Sequence, residues 1–325
     1  VRKSVVQWDV VSFGETMIRL AVPLGERLET ATRLEVGIGG AEANVLVALA
    51  RLGRRTAWAS VLPRNPLGER IVRELAWHGV DTSWVQWVER GRVGVYYLDT
   101  GVPPRPTAVL YDRAGSAVAQ VDPAAFPIDF VAGGRWLHLT GITPALSVGC
   151  RAVAERLMER ARAAGVPVSF DVNYRSRLWG PDEAARVLEP FCAGATVLFC
   201  GEGDARTLWG LEGTALEVAE RLAGRFGAEV TVLTLGEGGA VAVTREGERV
   251  TAEALRATVI DRVGAGDAFA AGFLHGYLDG RDLERGLRTG VALAALKLTV
   301  RGDLALISAA ELEAMLSETR RTIVR

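Results

Sequence analysis

Lysine is nearly missing from this chain: of 38 basic residues, only Lys3 and Lys297 are lysines. That scarcity excludes whole mechanisms. There is no Gly-x-x-x-x-Gly-Lys-Ser/Thr run and hence no P-loop, and no strand lysine of the protein-kinase kind. Any phosphate chemistry here must use backbone N–H groups, arginine and metal. Histidine and cysteine are as scarce, at three each. His78, His138 and His275 lie far apart and form no metal set, and His138 sits in a buried strand pattern. Cys150, Cys192 and Cys200 have no Cys-x-x-Cys spacing and read as small core residues. No apolar run approaches ~18 residues, and the first residues lack the order of a signal peptide. A net charge of −1 offers no basic surface to nucleic acid or an anionic membrane. These absences predict a cytoplasmic protein with small-molecule ligands, no nucleic-acid partner and no membrane partner.

What is present is an alternation of strand and helix. Val10–Phe13, Thr56–Val61, Arg135–Thr140, Val166–Phe170, Thr196–Phe199 and Val230–Thr234 read as buried strands. Helical spacing follows at Ala41–Leu52, Leu67–Trp77, Val148–Ala164, Asp182–Phe191, Ala205–Trp209, Leu216–Phe226 and Ala309–Thr319. Such alternation predicts an α/β fold, a mostly parallel sheet covered by helices on both faces. Ligands then gather beyond the carboxyl ends of the strands, which gives weight to Asp171, Asn173, Arg175, Gly201 and Gly236. Two segments, about 16–38 and 93–119, alternate apolar and polar residues instead, with turns such as Gly101-Val-Pro-Pro104. They read as short antiparallel strands in a small sheet over the site, a lid or a dimerisation surface.

The densest run is Asp261-Arg-Val-Gly264-Ala265-Gly266-Asp267, which leads into an apolar helix. A helix opening on Gly-Ala-Gly presents unpaired N–H groups and its positive dipole end to whatever lies in front. Asp267 would repel a bound anion, but makes sense as the acceptor of a hydroxyl proton. The competing reading is a tight loop with Asp as a helix cap. Gly37-Ile-Gly-Gly40-Ala-Glu-Ala-Asn44 opens another helix, either as a plain capping turn or as a place where Gly40 and Asn44 meet a polyol. Asp171-Val-Asn173-Tyr-Arg175 puts polar side chains beyond a strand, and Arg175 can fork onto a carboxylate or a phosphate. Tyr111 and Arg113 share one strand face, with Tyr96 on the preceding strand, or else form a solvated hairpin. Thr234-Leu-Gly236-Glu-Gly-Gly239 is either a plain hairpin turn or a loop around a nucleotide's phosphates.

The two glycine motifs together, in this order and spacing, resemble the signatures of the ribokinase-like (PfkB) carbohydrate kinases, and the match runs from about Val10 to Ser308. That resemblance implies one domain over residues 1–325. It implies a three-layer α/β/α sandwich with a β-sheet lid at about 16–38 and 93–119, which often mediates dimerisation. Three stretches further resemble 2-keto-3-deoxygluconate kinases: Tyr111-Asp-Arg113-Ala-Gly-Ser-Ala117, Leu137-His-Leu-Thr-Gly141-Ile-Thr-Pro-Ala-Leu146, and Asp171-Val-Asn-Tyr-Arg175-x-x-Leu-Trp179. They imply sugar contacts from Gly40, Asn44, Tyr96, Tyr111, Arg113, Ile142, Arg175 and Asp303, with Asp267 as base. Nucleotide contacts are implied for Asn173, Arg175, Gly201, Thr234, Gly236, Gly239, Gly264 and Gly266.

The implied reaction is transfer of the ATP γ-phosphoryl group, with the amides of Gly264, Ala265 and Gly266 holding the moving charge. Mg²⁺, and a monovalent cation as a further candidate, are the implied ions. The family's Asn-x-x-Glu element falls at Gly201-Glu-Gly-Asp204, which leaves Asp204 as the metal candidate. Glu42 and Ala43, at variable positions of the first signature, carry no weight. An acid sugar needs cations in its pocket, so Arg113 and Arg175 favour a keto acid over the neutral substrate of a fructokinase or ribokinase. A sugar-sensing protein without catalysis is disfavoured by the intact Asp267 and its glycines. A nucleotide-dependent oxidoreductase is disfavoured because no Gly-x-Gly-x-x-Gly follows the first strand.

Overall fold

Strands with apolar residues on both sides need cover on both faces, and the order of elements provides it. The structure, a computed structural model, describes residues 7–101 and 104–322. Val102 and Pro103, in the expected Gly101–Pro104 turn, lie outside the described residues. The first part contains β1 (Val10–Phe13), β2 (Met17–Ala21), β3 (Glu35–Gly39), α1 (Ala41–Arg51), β4 (Thr56–Pro63) and α2 (Pro66–Trp77). Next come β5 (Val80–Val88), β6 (Val95–Asp99), β7 (Ala108–Asp112), β8 (Leu137–Thr140), α3 (Ile142–Leu146), α4 (Val148–Ala164) and β9 (Val168–Asp171). The chain continues through α5 (Pro181–Ala193), β10 (Val197–Gly201), α6 (Glu202–Trp209), α7 (Ala215–Phe226) and β11 (Val230–Thr234). It ends with β12 (Ala240–Thr244), β13 (Arg249–Ala252), α8 (Ala265–Tyr277), α9 (Leu283–Leu298) and α10 (Ala309–Thr322). None of these helices is long and apolar enough to cross a membrane.

The large sheet has the order β13-β12-β11-β10-β9-β8-β1-β4-β5, parallel except where β12 runs against both of its neighbours. Side chains alternate between its faces with the strand period of two. Val197 and Phe199 pack with α8 and α9, while Leu198 and Cys200 join α4 to α7 on the other side. Helix α8 can lie close to α9 because glycines form the seam. A Cβ on Gly272 would sit 2.6 Å from the Thr289 carbonyl, and one on Gly290 would sit 3.0 Å from the Phe269 ring. Strand β5 and helix α9 were not predicted. β5 is half-exposed at the sheet edge, and the glycines of α9 weaken its helical pattern.

Chain order reverses at β1, which leads outward to β4 and β5 on one side while β8 to β13 build the other. The crevice beyond Phe13 and Thr140 is therefore the switch point where ligands of such sheets bind. Over it lies a four-stranded sheet, β3-β2-β6-β7, formed from the two segments predicted as a lid. The expected antiparallel pattern needs one correction: β2 and β6 pair in parallel, Ile18 opposite Val95. Both strands leave the same end of the large sheet, after β1 and after β5, so they run in the same direction.

The lid is fastened by buried charge. Arg19 on β2 donates from Nη1 to Asp303 and from Nη2 to Asp261, each at 2.6 Å. Removing a buried partner strands the charges left behind. Arg19→Met is therefore expected to cost about 3–5 kcal/mol, read as a lower denaturant midpoint at unchanged slope. A loss below about 1 kcal/mol would rank this bridge with solvent-exposed pairs and end its anchoring role.

Candidate active site

Helix α8 begins on Gly264, whose φ of +83° lies in the left-handed region and whose Cβ position is taken by the Asp303 carbonyl. Only glycine fits, and in the turn it makes Ala265 N–H donates to the Arg262 carbonyl at 3.3 Å. Among the described residues, the unpaired amides that open α8 are therefore those of Gly266 and Asp267 rather than Ala265. Asp267, in that first turn, is 9% exposed. Burial pushes its carboxyl up to about 6, opposed by a 2.7 Å hydrogen bond from Asn44 Nδ2 and by the charge of Arg175. Asn44 is itself held, its Oδ1 accepting from Gly40 N at 3.3 Å. The two glycine motifs, more than two hundred residues apart, thus meet at one carboxylate.

The predicted sugar residues converge. Gly40, Asn44, Tyr96, Tyr111 and Arg113 line one cavity of about 90 Å³. Ile142, Arg175, Asp267 and Asp303 line it as well. Lid strands β6 and β7 supply Tyr96 opposite Tyr111, with ring centroids 6.0 Å apart. Tyr96 Oη is buried near the Asp303 carboxylate without meeting hydrogen-bond geometry to it. Arg113 departs from expectation. Its Nε donates to Glu15 Oε2 at 2.8 Å and Nη2 approaches the same atom at 2.5 Å, so its charge is already matched. The solvated-hairpin reading fails here, because Glu15 is buried and also accepts from Ser116 Oγ. Arg175 is exposed and, among the described residues, has no carboxylate in salt-bridge contact.

A second cleft, about 690 Å³, opens on the other side of the same helical turn. Thr234, Gly236 and Gly239 line it from the β11–β12 connection, a hairpin that borders this cleft. Ala265 and Gly266 form its floor, and Phe269, Val291 and Leu298 give it an apolar wall. Gly264, predicted for the nucleotide, lines the smaller cavity instead. Asn173 and Gly201 line neither space. Gly201 pairs with Thr234 at the end of β10, and Asn173 follows β9 with a φ of 41°, a strained value that asparagine tolerates.

Near these ends stand two more carboxyls. Burial and the charge of Asp267 push Asp171 up to about 8, and burial raises Asp204. Each accepts a backbone N–H, Asp171 from Asn173 and Asp204 from Tyr174, both at 3.1 Å. No cluster of three His, Cys, Asp or Glu able to hold a metal exists among the described residues. Mg²⁺ takes one or two carboxylates and otherwise phosphates and water, so it does not call for such a cluster.

Four buried charged residues around the site were missed. Glu15 and Arg19 sit in lid-like sequence with no motif, and Lys297 ends a helix. Glu42 was dismissed, yet it is 1% exposed and accepts from Thr140 Oγ1 at 2.8 Å and Thr143 Oγ1 at 2.6 Å. An acidic residue amid the alanines of a buried helix was the available signal.

Comparison with known proteins gives this arrangement a context. The sequence model described as pfkB family carbohydrate kinase matches residues 7–310. A 2-dehydro-3-deoxygalactonokinase of Haloferax volcanii is 44% identical over 95% of this chain and 96% of its own. A 2-dehydro-3-deoxygluconokinase of Bacillus subtilis is 33% identical, covering 97% of each chain. The crystal structure of 2-dehydro-3-deoxygluconokinase from Thermotoga maritima superposes with a TM-score of 0.91 at 33% identity, covering 96% of this chain and 98% of that one.

Glu42 generates a pH prediction. Burial raises its carboxyl from the usual 4.5 to about 7. The folded chain then keeps a proton that the unfolded chain gives up, so this group's contribution drains away as pH rises through about 7. Asp267 acts in the same sense, and buried His138, lowered to about 3, acts oppositely below its ordinary range. The stability difference between Glu42→Gln and wild type is expected to grow in the variant's favour from about pH 5 to about pH 8, by roughly 3 kcal/mol. Parallel melting curves check this, and a constant difference would remove Glu42 as a titrating group.

Proposed function

This chain belongs to the pfkB family of carbohydrate kinases, and on that premise we propose that it phosphorylates 2-keto-3-deoxygluconate at its terminal hydroxyl with ATP. The observation that carries this reading is the single first turn of α8 shared by two cavities. Gly264 and Asp267 face the small one, while Ala265 and Gly266 face the large one. A phosphoryl group passing between them moves along the amides of that turn, which offset its charge; such donors are typically worth roughly 3–4 kcal/mol. The larger cleft suits ATP, with apolar residues for the base and Gly236, Gly239 and Gly266 leaving space for phosphates. Mg²⁺, bound through the outer phosphates with Asp204 or Asp171 as protein partners, would neutralise charge on the triphosphate.

In the reaction the sugar hydroxyl gives its proton to Asp267 as its oxygen attacks the γ-phosphorus. The bond from that phosphorus to the β,γ-bridging oxygen breaks, and ADP leaves. Asn44 keeps one Asp267 oxygen oriented, which favours the other for the proton. Arg175 is the cation left for the sugar carboxylate, and Arg113, neutralised by Glu15, offers its remaining N–H donors to hydroxyls. Relatives named for both the gluconate and the galactonate substrate support a 2-keto-3-deoxy acid. The 44% identity to the Haloferax volcanii protein favours the galacto epimer as the second substrate to test. Val36 and Leu110, 48% and 56% exposed on the lid, support pairing of two copies through that sheet.

Asp267→Asn is expected to lower kcat at least about 10³-fold while sugar and ATP still bind, measured by coupled assay and calorimetry. Retention of more than a few per cent of turnover would sink the base assignment. Arg175→Gln should raise KM for the keto acid about 10- to 100-fold with a smaller change in kcat. If the loss falls on kcat alone, Arg175 faces the moving phosphoryl group instead. On a panel of both keto-acid epimers, fructose and ribose, the acids should be turned over fastest. Equal rates on the neutral sugars would overturn the acid-sugar reading.

A further inference from the structure

In a chain that uses arginine almost everywhere, one lysine is fully buried. Lys297, in the last turn of α9, has 0% exposure. Its Nζ donates to the carbonyls of Asp261 and Val300, both at 3.1 Å. Burial lowers its pKa, and the charges of Asp261, Asp303 and Asp267 oppose that shift. The Asp261 carboxylate itself is committed elsewhere, to Val263 N, Gly302 N and Arg19.

The two carbonyls belong to the two stretches that fix the start of α8. Residues 261–264 lead into it, and residues 300–303 end in the Asp303 carbonyl that lies against Gly264. Backbone carbonyls converging on one interior point are the ligands a potassium-sized cation takes. Here a compact ammonium stands between them. A planar, forked guanidinium is a poor match for that point, which explains a lysine in so arginine-rich a chain. The sequence resemblance implied a monovalent cation as a candidate cofactor. The residues present do not fit one at this position, because these carbonyls are already taken.

We propose that Lys297 is a tethered cation: a positioning residue that clamps residues 261–264 to residues 300–303, holds the amides of α8 in place, and makes this chain independent of monovalent cations. The kinetic part rests on the phosphoryl-transfer reading above; the binding part does not.

Wild type and Lys297→Met are compared in potassium, ammonium and tetramethylammonium chloride at equal ionic strength, by melting temperature and by steady-state kinetics. Wild type should show the same melting temperature in all three and turnover within about twofold. The variant should lose about tenfold or more in kcat with smaller changes in either KM. Potassium or ammonium should raise its melting temperature saturably and restore part of kcat, and bulky tetramethylammonium should not. Potassium activation of wild type by tenfold or more overturns the proposal, as does a saturable potassium-induced rise in its melting temperature. So does a folded variant with wild-type kcat, or one whose losses ignore cation size, since either makes Lys297 a packing residue. If the Met variant does not fold, Lys297→Gln and the wild-type comparison decide. Absent turnover on every sugar tried, the melting curves still separate this proposal from the kinase reading.

Discussion

One arginine inside the protein ties the lid to the turn that opens α8. Arg19 reaches from β2 to Asp261 and Asp303, and all three are nearly excluded from solvent. Burying such charges is costly, and unless each is paired the arrangement collapses or neutralises. The position of the lid over the crevice and the shape of the Gly264 turn are therefore one condition. Lys297 extends the same condition to the backbone carbonyls behind the turn.

The consequence is a short piece of helix with different chemistry on its two sides. On one side lie a carboxylate, an amide side chain and two tyrosines, in a small space roofed by the lid. On the other lies a wide cleft with an apolar wall at Phe269, Val291 and Leu298 and with Gly236, Gly239 and Gly266 in its lining. The burial that makes Asp267 expensive to ionise also makes it a better proton acceptor, because its pKa is moved toward neutrality. Fold stability and chemistry pull in opposite directions at this residue, and the Asn44 hydrogen bond and the charge of Arg175 offset part of the burial cost.

Much of the fold was legible because strand and helix periods are local. β1 and β11 fall on their predicted residues, and α4 matches end for end. β5 was not legible, since a half-exposed edge strand lacks a continuous apolar run. The parallel pairing of β2 with β6 was not legible either, because it follows from where two distant strands leave the large sheet. The site shows the same division. The residues around the small cavity were readable from motifs and a family resemblance, but Glu15, which cancels the charge of Arg113, stands in no motif at all. Glu42 was set aside as variable, and its buried hydrogen bonds from Thr140 and Thr143 exist only once α1 meets α3 and β8.

The sequence by itself determined the alternating α/β layers, the glycine that α8 needs at its start, and the identity of the carboxylate behind it. These depend on periodicity and on what a missing Cβ permits, both properties of neighbouring residues. Only the tertiary structure decided which charges remain available. Arg113 is matched, Arg175 is open, and Lys297 stands between two carbonyls. Charge compensation acts through space at a few ångströms, between residues that the chain separates by dozens to hundreds of positions, and no local pattern records it.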